Sequence, residues 1–512
     1  MSESKKKLNI VTIISDDQGY WALHCAGTPE LKTPNIDKLY EKGIMFENFY
    51  CVSPVCSPAR ASIYSGTIPS FHGVQDWILS GNINIKKYTE LNTLSQFTFE
   101  DKSIDYVEDQ VFITDILKKE GYRCGLSGKW HLGNSIQPQH GFDDWYTIAR
   151  GGCSYYKPEI VENNEIRIES EYVTDLITDN AIKTIKKYKE SDVPFFLSVN
   201  YTAPHYPWDR DNHPKEYMDL YKDCTFESVP NEPVNPRLSP DAPYDSTENG
   251  RHNSLQGYFS SITAMDYGIG AIIQSLEDSD LIDDTIIIFT SDNGMNMGHH
   301  GIWGKGNGTF PQNLYETSVK VPFIISCPKV LLSNSVNSSP HSHYDIFPTL
   351  LALLGVDHRE VANEDKRPGV NFSDEILLNS PWPVVKPDQP IIIFSEYGPT
   401  RMIRYDDWKY VSRIPYGPDE LYNLKVDKHE KYNVIDDERY GEIKVSLKNR
   451  LRKWFLSYAN FETDASNECN TGRGQLCKVG KGSNGRNVFL LEDSYKRYYN
   501  NILALKSSKE ID

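Results

Sequence analysis

Three short apolar runs, each ending abruptly in polar residues, constrain the fold more than any other feature of the sequence. Residues 10–14 precede Ser15, Asp16 and Asp17, residues 195–199 precede Asn200, and residues 285–290 precede Ser291, Asp292 and Asn293. Short continuous runs of β-branched residues are typical of strands buried on both faces of a sheet. Helical patterns occupy residues 113–119, 172–189 and 258–276 between them. The alternation predicts an α/β fold whose mostly parallel central sheet is sandwiched by helices, with ligands bound beyond the carboxyl ends of the strands.

Two proline-rich stretches divide the chain. Residues 225–250 contain five prolines and little periodicity, which predicts an irregular excursion that walls the site. The second stretch, residues 381–390, precedes short strand-like runs at 391–394, 402–405, 409–411 and 420–423. Their close spacing favours an antiparallel meander. We therefore expect a catalytic α/β domain at 1–385 and a smaller C-terminal α+β domain with an antiparallel sheet at 386–512.

Composition excludes several classes of partner. The 512-residue chain carries 54 Lys and Arg against 71 Asp and Glu, so its net charge of −17 repels nucleic acids and acidic membrane surfaces. No apolar run approaches the roughly 20 residues that a membrane-spanning helix needs. The first residues do not resemble a signal peptide, and the nine cysteines are scattered without metal-ligand spacing. These features predict a cytoplasmic protein with free thiols, Cys469 and Cys477 included.

The segment Cys56-Ser57-Pro58-Ala59-Arg60 is the most specific motif. At helical spacing Arg60 would only lower the pKa of the Cys56 thiol. The pattern C-x-P-x-R, however, resembles the maturation signature of type I sulfatases, a family of the alkaline-phosphatase-like superfamily. The resemblance implies that a formylglycine-generating maturase oxidises Cys56 to Cα-formylglycine, the catalytic nucleophile, and that Arg60 helps to stabilise its alkoxide. It also implies the large α/β domain and the small C-terminal domain.

Polar residues at two strand ends form a candidate metal site. Adjacent carboxylates at Asp16 and Asp17 are costly unless a cation neutralises their repulsion. Asp292 and Asn293 add the hard oxygen ligands that Ca²⁺ prefers. The set is similar to the sulfatase metal site, in which the formylglycine at position 56 completes the coordination. The resemblance therefore implies a Ca²⁺ held by Asp16, Asp17, Asp292, Asn293 and the modified Cys56.

Three further segments resemble sulfatase motifs. Residues 121–131 end in Gly-Lys-Trp-His, with Cys124 where Ser or Thr is usual, and imply that Lys129 binds the sulfate while His131 is the base that releases it from the enzyme. The Ala-Pro-His segment implies that His205 protonates the leaving oxygen, and Lys305 matches the second sulfate-binding lysine. His299 and His300 lie nearby in the sequence with no assigned role. Residues 343–350 and 420–424 resemble motifs that support the fold.

The expected activity is hydrolysis of a sulfate ester, in which two histidines serve opposite proton transfers. The substrate is expected to be a small-molecule or oligosaccharide sulfate ester, with a sulfated saccharide as the favoured class. Candidates for stacking on a sugar are Trp77, Tyr155, Tyr156, Trp208 and Trp303, and candidates for a second anionic group are Arg210, Arg251 and His252, although packing explains most aromatic residues.

Two alternatives stay open: a phosphonate monoester or phosphodiester hydrolase of the same superfamily, and a catalytically silent sugar-binding homologue. Asn293 disfavours the first, since those relatives tend to place His there and use a transition metal. The retained Cys56, Arg60, lysines and histidines disfavour the second. Turnover of a substrate panel would discriminate between them.

Overall fold

A computed structural model describes residues 7–88, 91, 94–379, 393–415 and 417–490. The strands are β1 (Asn9–Ser15), β2 (Ile44–Phe46), β3 (Phe49–Tyr50), β4 (Arg123–Gly128), β5 (Asp144–Ile148), β6 (Glu159–Glu162), β7 (Glu165–Ile168), β8 (Phe195–Asn200), β9 (Thr285–Ser291), β10 (Asn296–Met297), β11 (Trp303–Gly304), β12 (Phe323–Ser326), β13 (Ser335–Asn337), β14 (His341–Ser342), β15 (Ile393–Tyr397), β16 (Thr400–Tyr405), β17 (Trp408–Arg413) and β18 (Glu420–Asn423). The α-helices are α1 (Pro34–Glu41), α2 (Cys56–Ser65), α3 (Pro69–His72), α4 (Ile113–Lys119), α5 (Val173–Ser191), α6 (Lys215–Asp219), α7 (Gly250–Asp278), α8 (Glu316–Val319), α9 (Ile346–Leu353), α10 (Ser373–Ile376) and α11 (Gly441–Tyr458).

The central sheet has ten strands in the order β13-β2-β12-β9-β1-β8-β4-β5-β6-β7. Its middle five strands, from β9 to β5, are all parallel, whereas β12, β6 and β7 run antiparallel to their neighbours. The three apolar runs in the sequence are β1, β8 and β9, which lie side by side. The predicted fold class is therefore confirmed.

Helices cover both faces of this sheet because alternate residues of its strands point in opposite directions. Ile10 and Ile14 belong to a core that includes residues of α2, α4 and α9. Val11 and Ile13 belong to a second core with residues of α1, α5 and α7. Both faces are buried, which explains why these strands read as continuous apolar runs rather than as alternating ones.

The C-terminal strands β15 to β18 form a separate four-stranded antiparallel sheet in sequence order, which is the meander that the spacing of the runs predicts. Leu447, Leu451 and Phe455 of α11 pack in one core with residues of this sheet. The expected boundary near residue 385 lies outside the described residues, so the division at 385 stays a prediction.

The excursion at 225–250 is irregular, as expected, until α7 begins at Gly250. All nine cysteines lie in the described ranges, and none of them forms a disulfide. No helix in the part of the chain that the structure describes is long and apolar enough to cross a bilayer. The cytoplasmic location stays a prediction.

Candidate active site

Parallel pairing of β1 with β9 brings the predicted metal ligands together. Ser15 lies opposite Ser291 in the register, so both strands end at the same edge of the sheet. Asp16 and Asp17 therefore emerge beside Asp292 and Asn293, and the backbone N–H of Asp17 donates to Oδ1 of Asp292 at 3.2 Å. All four side chains are buried.

The buried cluster of Asp16, Asp17, Asp292 and Cys56 could hold a metal ion. One ligand atom from each residue lies within 4.8 Å of the others. Asn293 donates from Nδ2 to Oδ1 of Asp17 at 2.8 Å, while its buried Oδ1 has no hydrogen-bond partner within the described ranges. An unpartnered buried amide oxygen and three carboxylates together supply the oxygen ligands that a hard cation prefers.

Cys56 begins helix α2 and is almost completely buried beside the carboxylates. Its Sγ lies 3.2 Å from Oδ1 of Asp16 and accepts a hydrogen bond from Nζ of Lys305 at 2.8 Å. Burial, with a contribution from Asp16, raises the pKa of the thiol well above its ordinary value. The unmodified Cys56 is therefore held as a neutral thiol and is a poor nucleophile.

Arg60 lies one turn further along α2, so its side chain reaches the same side of the helix as Cys56. Its Nε donates to Oδ2 of Asp292 at 2.9 Å, and Nη1 donates to the carbonyl oxygen of Lys129 at 3.2 Å. Arg60 thus links the metal cluster to the end of β4.

Lys129 and Lys305 each face one of the strand-end carboxylates. Nζ of Lys129 donates to Oδ2 of Asp16 at 2.5 Å, and Nζ of Lys305 donates to Oδ1 of Asp17. Burial alone would lower the pKa of both lysines, but the carboxylates outweigh it and raise both values. Burial likewise opposes ionisation of Asp16, yet the positive charge of Lys129, with smaller contributions from His205 and Arg60, lowers its pKa. Both lysines therefore stay charged at neutral pH.

The two predicted histidines line one cavity of about 610 Å³ together with Cys56 and Lys305. Nε2 of His131 lies 3.0 Å from the carbonyl oxygen of Ile78, which makes it the protonated nitrogen. Nδ1 is then the unprotonated nitrogen and carries a lone pair, and it has no hydrogen-bond partner among the described residues. Burial and Lys129 hold the pKa of His131 well below its ordinary value, so the ring is a neutral base.

His205 presents the opposite arrangement. Its Nδ1 donates to the carbonyl oxygen of Tyr206 at 2.7 Å, and Nε2 faces Oδ2 of Asp17 at 3.6 Å. The hydroxyl of Tyr155 donates to the carbonyl oxygen of His205 at 2.9 Å and fixes this loop. Nε2 is therefore the nitrogen aimed into the site.

A second cavity of about 630 Å³ adjoins the first and shares Trp77, His205, Tyr206 and Lys305 with it. Residues 239–243 of the proline-rich excursion line this cavity, which agrees with the prediction that the excursion walls the site. The excursion faces the C-terminal segment, where Asp241 pairs with Arg473.

Most of the residues considered for sugar binding lie elsewhere. Of the aromatic candidates only Trp77 lines the two cavities, whereas Tyr155, Trp208 and Trp303 are buried in the protein. Arg210, Arg251 and His252 line neither cavity. The burial of these aromatic residues agrees with the expectation that packing explains most of them. The sequence does not show which loop residues face a cavity.

His299 and His300 pack against aromatic rings rather than lining either cavity. His299 lies 4.7 Å from the ring centroid of Trp21, and His300 stacks on Tyr315 at 3.9 Å. The sequence analysis did not identify two residues near the site. Gly151 packs on His131, and Arg150 lines the first cavity. Neither belongs to a motif or pattern in the sequence that indicates such a role.

The site gathers a carboxylate cluster that could hold a metal ion, three buried cations and two histidines at one edge of an α/β sheet, which is suited to hydrolysis of an anionic ester. The family model described as Sulfatase matches residues 8–356. The chain therefore belongs to the sulfatase family, within the alkaline-phosphatase-like superfamily, and it is a sulfuric ester hydrolase.

Relatives and solved structures agree with this. An ulvan-active sulfatase from Formosa agariphila is 28% identical over 87% of this chain and 81% of its own length. An N-acetylglucosamine-6-O-sulfatase from Bacteroides thetaiotaomicron is 24% identical over 90% and 88%. A solved structure of a protein in complex with its substrate D-glucosamine-2-N,6-O-disulfate has a TM-score of 0.73 at 21% identity, covering 90% of this chain and 99% of that one. That last similarity supports the fold.

Proposed function

We propose that this sulfatase removes sulfate from a sulfated saccharide, using a Cα-formylglycine made from Cys56 and a Ca²⁺ ion held by Asp16, Asp17, Asp292 and Asn293. The observation that carries the proposal is the buried cluster of three carboxylates and Cys56 within 4.8 Å, with the unpartnered Oδ1 of Asn293 beside it. All these protein donors other than position 56 are oxygens, which favours Ca²⁺ over a transition metal.

The cation would make the site electropositive. Three buried cations, Arg60, Lys129 and Lys305, pair with Asp292, Asp16 and Asp17. A divalent ion bound to the carboxylates leaves a net positive charge in the site, which the single negative charge of a sulfate monoester would partly neutralise. When present, the hydrated aldehyde supplies the nucleophile and Ca²⁺ supplies Lewis-acid stabilisation.

The residues of the chain perform the remaining steps. Lys129 and Lys305 neutralise the sulfate oxygens as charge develops on them in the transition state. Because Nδ1 of His205 donates to Tyr206, Nε2 carries a transferable proton in the imidazolium form of the ring, and that proton goes to the leaving sugar oxygen. Nδ1 of His131, a buried neutral lone pair, takes the proton whose removal lets sulfate depart. The different environments of the two rings suit these opposite transfers.

A saccharide is supported by the cavities and by the relatives. Two adjoining cavities of about 610 and 630 Å³ offer room beyond the sulfate, and Trp77 provides a face for a sugar ring. The relatives named above are described as acting on ulvan and on N-acetylglucosamine sulfates.

The test is production of the full chain together with a formylglycine-generating maturase. The peptide containing Cys56 should show the mass change for exchange of H₂S by O, and the protein should release sulfate from a panel of sulfated sugars. Cys56→Ala should abolish turnover, whereas the matched Cys124→Ser variant, which changes a buried thiol outside the cavities, should retain it.

Each contrary result identifies the part that fails. Turnover by Cys56→Ala would remove the proposed nucleophile. Hydrolysis of phosphonate esters in preference to sulfates would favour the phosphonate hydrolase alternative. A modified peptide with no turnover of any ester would favour the silent sugar-binding alternative.

A further inference from the structure

Arg150 lines the wall of the first cavity, in which Cys56, His131 and His205 also lie. It follows strand β5 by two residues, at the same edge of the sheet as the strand ends that carry the metal cluster. Arg150 is partly exposed, whereas Arg60, Lys129 and Lys305 are buried. It is therefore a cation that a ligand in this cavity can reach.

The guanidinium is held in place without being neutralised. Its Nη1 donates to the carbonyl oxygen of Gln96 at 3.0 Å, and its Cζ lies 4.6 Å from the ring centroid of Phe97. Within the described ranges it forms no ion pair, and its buried Nε has no hydrogen-bond partner. The other three cations of the site are each paired with a carboxylate. A preoriented, unpaired arginine is suited to bind an anion.

The next two residues connect Arg150 to the reacting groups. A Cβ at position 151 would lie 2.0 Å from Nε2 of His131, and a Cβ at position 152 would lie 3.8 Å from Cε1 of His205. The backbone after Arg150 thus runs along both histidines. An anion bound by Arg150 would belong to the same ligand whose sulfate ester lies at Cys56.

We propose that Arg150 binds a second anionic group of the substrate, a uronate carboxylate or another sulfate, so that the enzyme prefers acidic saccharides. This rests on the proposed function, since it names a subsite for the sugar of that reaction. Glu159 lines the same cavity and accepts a hydrogen bond from Nε2 of Gln96 at 2.9 Å. The negative charge of Glu159 repels an anion bound at Arg150. Removing the charge of Arg150 should therefore weaken binding of that anion, and removing the charge of Glu159 should strengthen it.

The test begins with the monosulfated sugar that the matured wild-type protein hydrolyses best. Binding of this sugar, of its disulfated derivative and of its uronate-containing disaccharide is measured by calorimetry in the Cys56→Ala background, where nothing is turned over. Arg150→Gln should weaken binding of at least one acidic derivative about tenfold and leave the monosulfated sugar little changed. Glu159→Gln should strengthen binding of that same derivative. The control Arg210→Gln removes an arginine outside both cavities and should change none of the three affinities.

Comparison of the three ligands shows whether the anionic group is a sulfate or a carboxylate, and it distinguishes failure of this inference from failure of the proposed function. A loss confined to the disulfated sugar assigns the subsite to sulfate, and a loss confined to the uronate disaccharide assigns it to a carboxylate. Equal loss for all three ligands, or no loss, overturns the inference and leaves the proposed function intact. Weaker binding of the acidic ligand in Glu159→Gln also overturns it. If wild type hydrolyses no sulfated sugar, the proposed function fails and the inference fails with it.

Discussion

Nε of Arg60 donates a hydrogen bond to Oδ2 of Asp292 at 2.9 Å, and neither side chain is exposed to solvent. The pair joins helix α2, which carries Cys56, to the end of strand β9, which carries the candidate metal ligands. Because a buried charge without a partner is strongly destabilising, each member of the pair depends on the other. Asp292 also lies in the cluster that could hold the cation, so the pair couples metal binding to stability.

Arg60→Met should destabilise the metal-free protein by about 3–5 kcal/mol, because Asp292 is left as an uncompensated buried carboxylate. Added Ca²⁺ should recover part of this loss, since the ion would take over compensation of the cluster. Urea denaturation in EDTA and in Ca²⁺ measures both effects. The control Arg439→Met removes a surface pair with Asp437 and should change little in either solution. An Arg60→Met protein as stable as wild type in EDTA would contradict the coupling.

Removing the amide of Asn293 should weaken Ca²⁺ binding, because its buried Oδ1 has no hydrogen-bond partner among the described residues and is free to bind the ion. We expect Asn293→Ala to lower Ca²⁺ affinity at least tenfold, measured by competition with a chromophoric chelator. Asn296→Ala is the matched control, since Asn296 is also buried but binds Gly304 and Ser318 instead. It should lower stability without changing the affinity. Equal affinities in both variants would show that the cation is bound elsewhere.

Adding one methyl group at Gly151 should disrupt catalysis. A Cβ there would lie 2.0 Å from Nε2 of His131, so the ring must move and lose its hydrogen bond to Ile78. We expect Gly151→Ala to lower kcat at least a hundredfold, the loss typical of a displaced acid–base group, with a smaller effect on KM. Gly152→Ala is the matched control, because its nearest atom, Cε1 of His205, lies at an ordinary 3.8 Å. Equal rates for the two variants would show that the position of His131 does not limit turnover.

The sequence predicts those parts of the site that lie at strand and helix ends. Asp16 and Asp292 follow continuous apolar runs, and parallel strands with such ends must meet at one edge, so their proximity follows from local pattern and topology. Cys56 and Arg60 share a helix turn. Lys129 and Lys305 have no such local signal, and only their resemblance to family motifs indicates them.

The residues that line the two cavities cannot be predicted from the sequence, for a physical reason. Tyr155 and Arg150 both lie in loops after strands, yet Tyr155 is buried and donates to the backbone of His205, while Arg150 faces the cavity. The difference depends on contacts with distant segments, such as Gln96 and Phe97 beneath Arg150. Periodicity and composition carry no information about such contacts, because they are not local in sequence.

We expect His72 to make the free energy of unfolding fall at acidic pH. It ends helix α3, where Nδ1 accepts from the backbone N–H of Val74 at 3.1 Å and Nε2 lies 3.1 Å from Oγ of Ser62. Both nitrogens are satisfied in the neutral ring, and burial lowers the pKa of His72 from 6.5 to about 3. Between these two pH values the unfolded chain binds a proton that the folded protein does not. Its contribution to the free energy of unfolding is therefore complete above about pH 6.5 and is lost as the pH falls toward 3.

Replacing His72 by glutamine keeps one donor and one acceptor but removes the titration. The slope of unfolding free energy against pH, measured by urea denaturation between pH 4.5 and 6, should decrease by about 1.4 kcal/mol per pH unit, the value for one proton. A His72→Gln protein with the wild-type slope would show that His72 is charged in the folded protein, since only a neutral, buried ring releases its proton on folding.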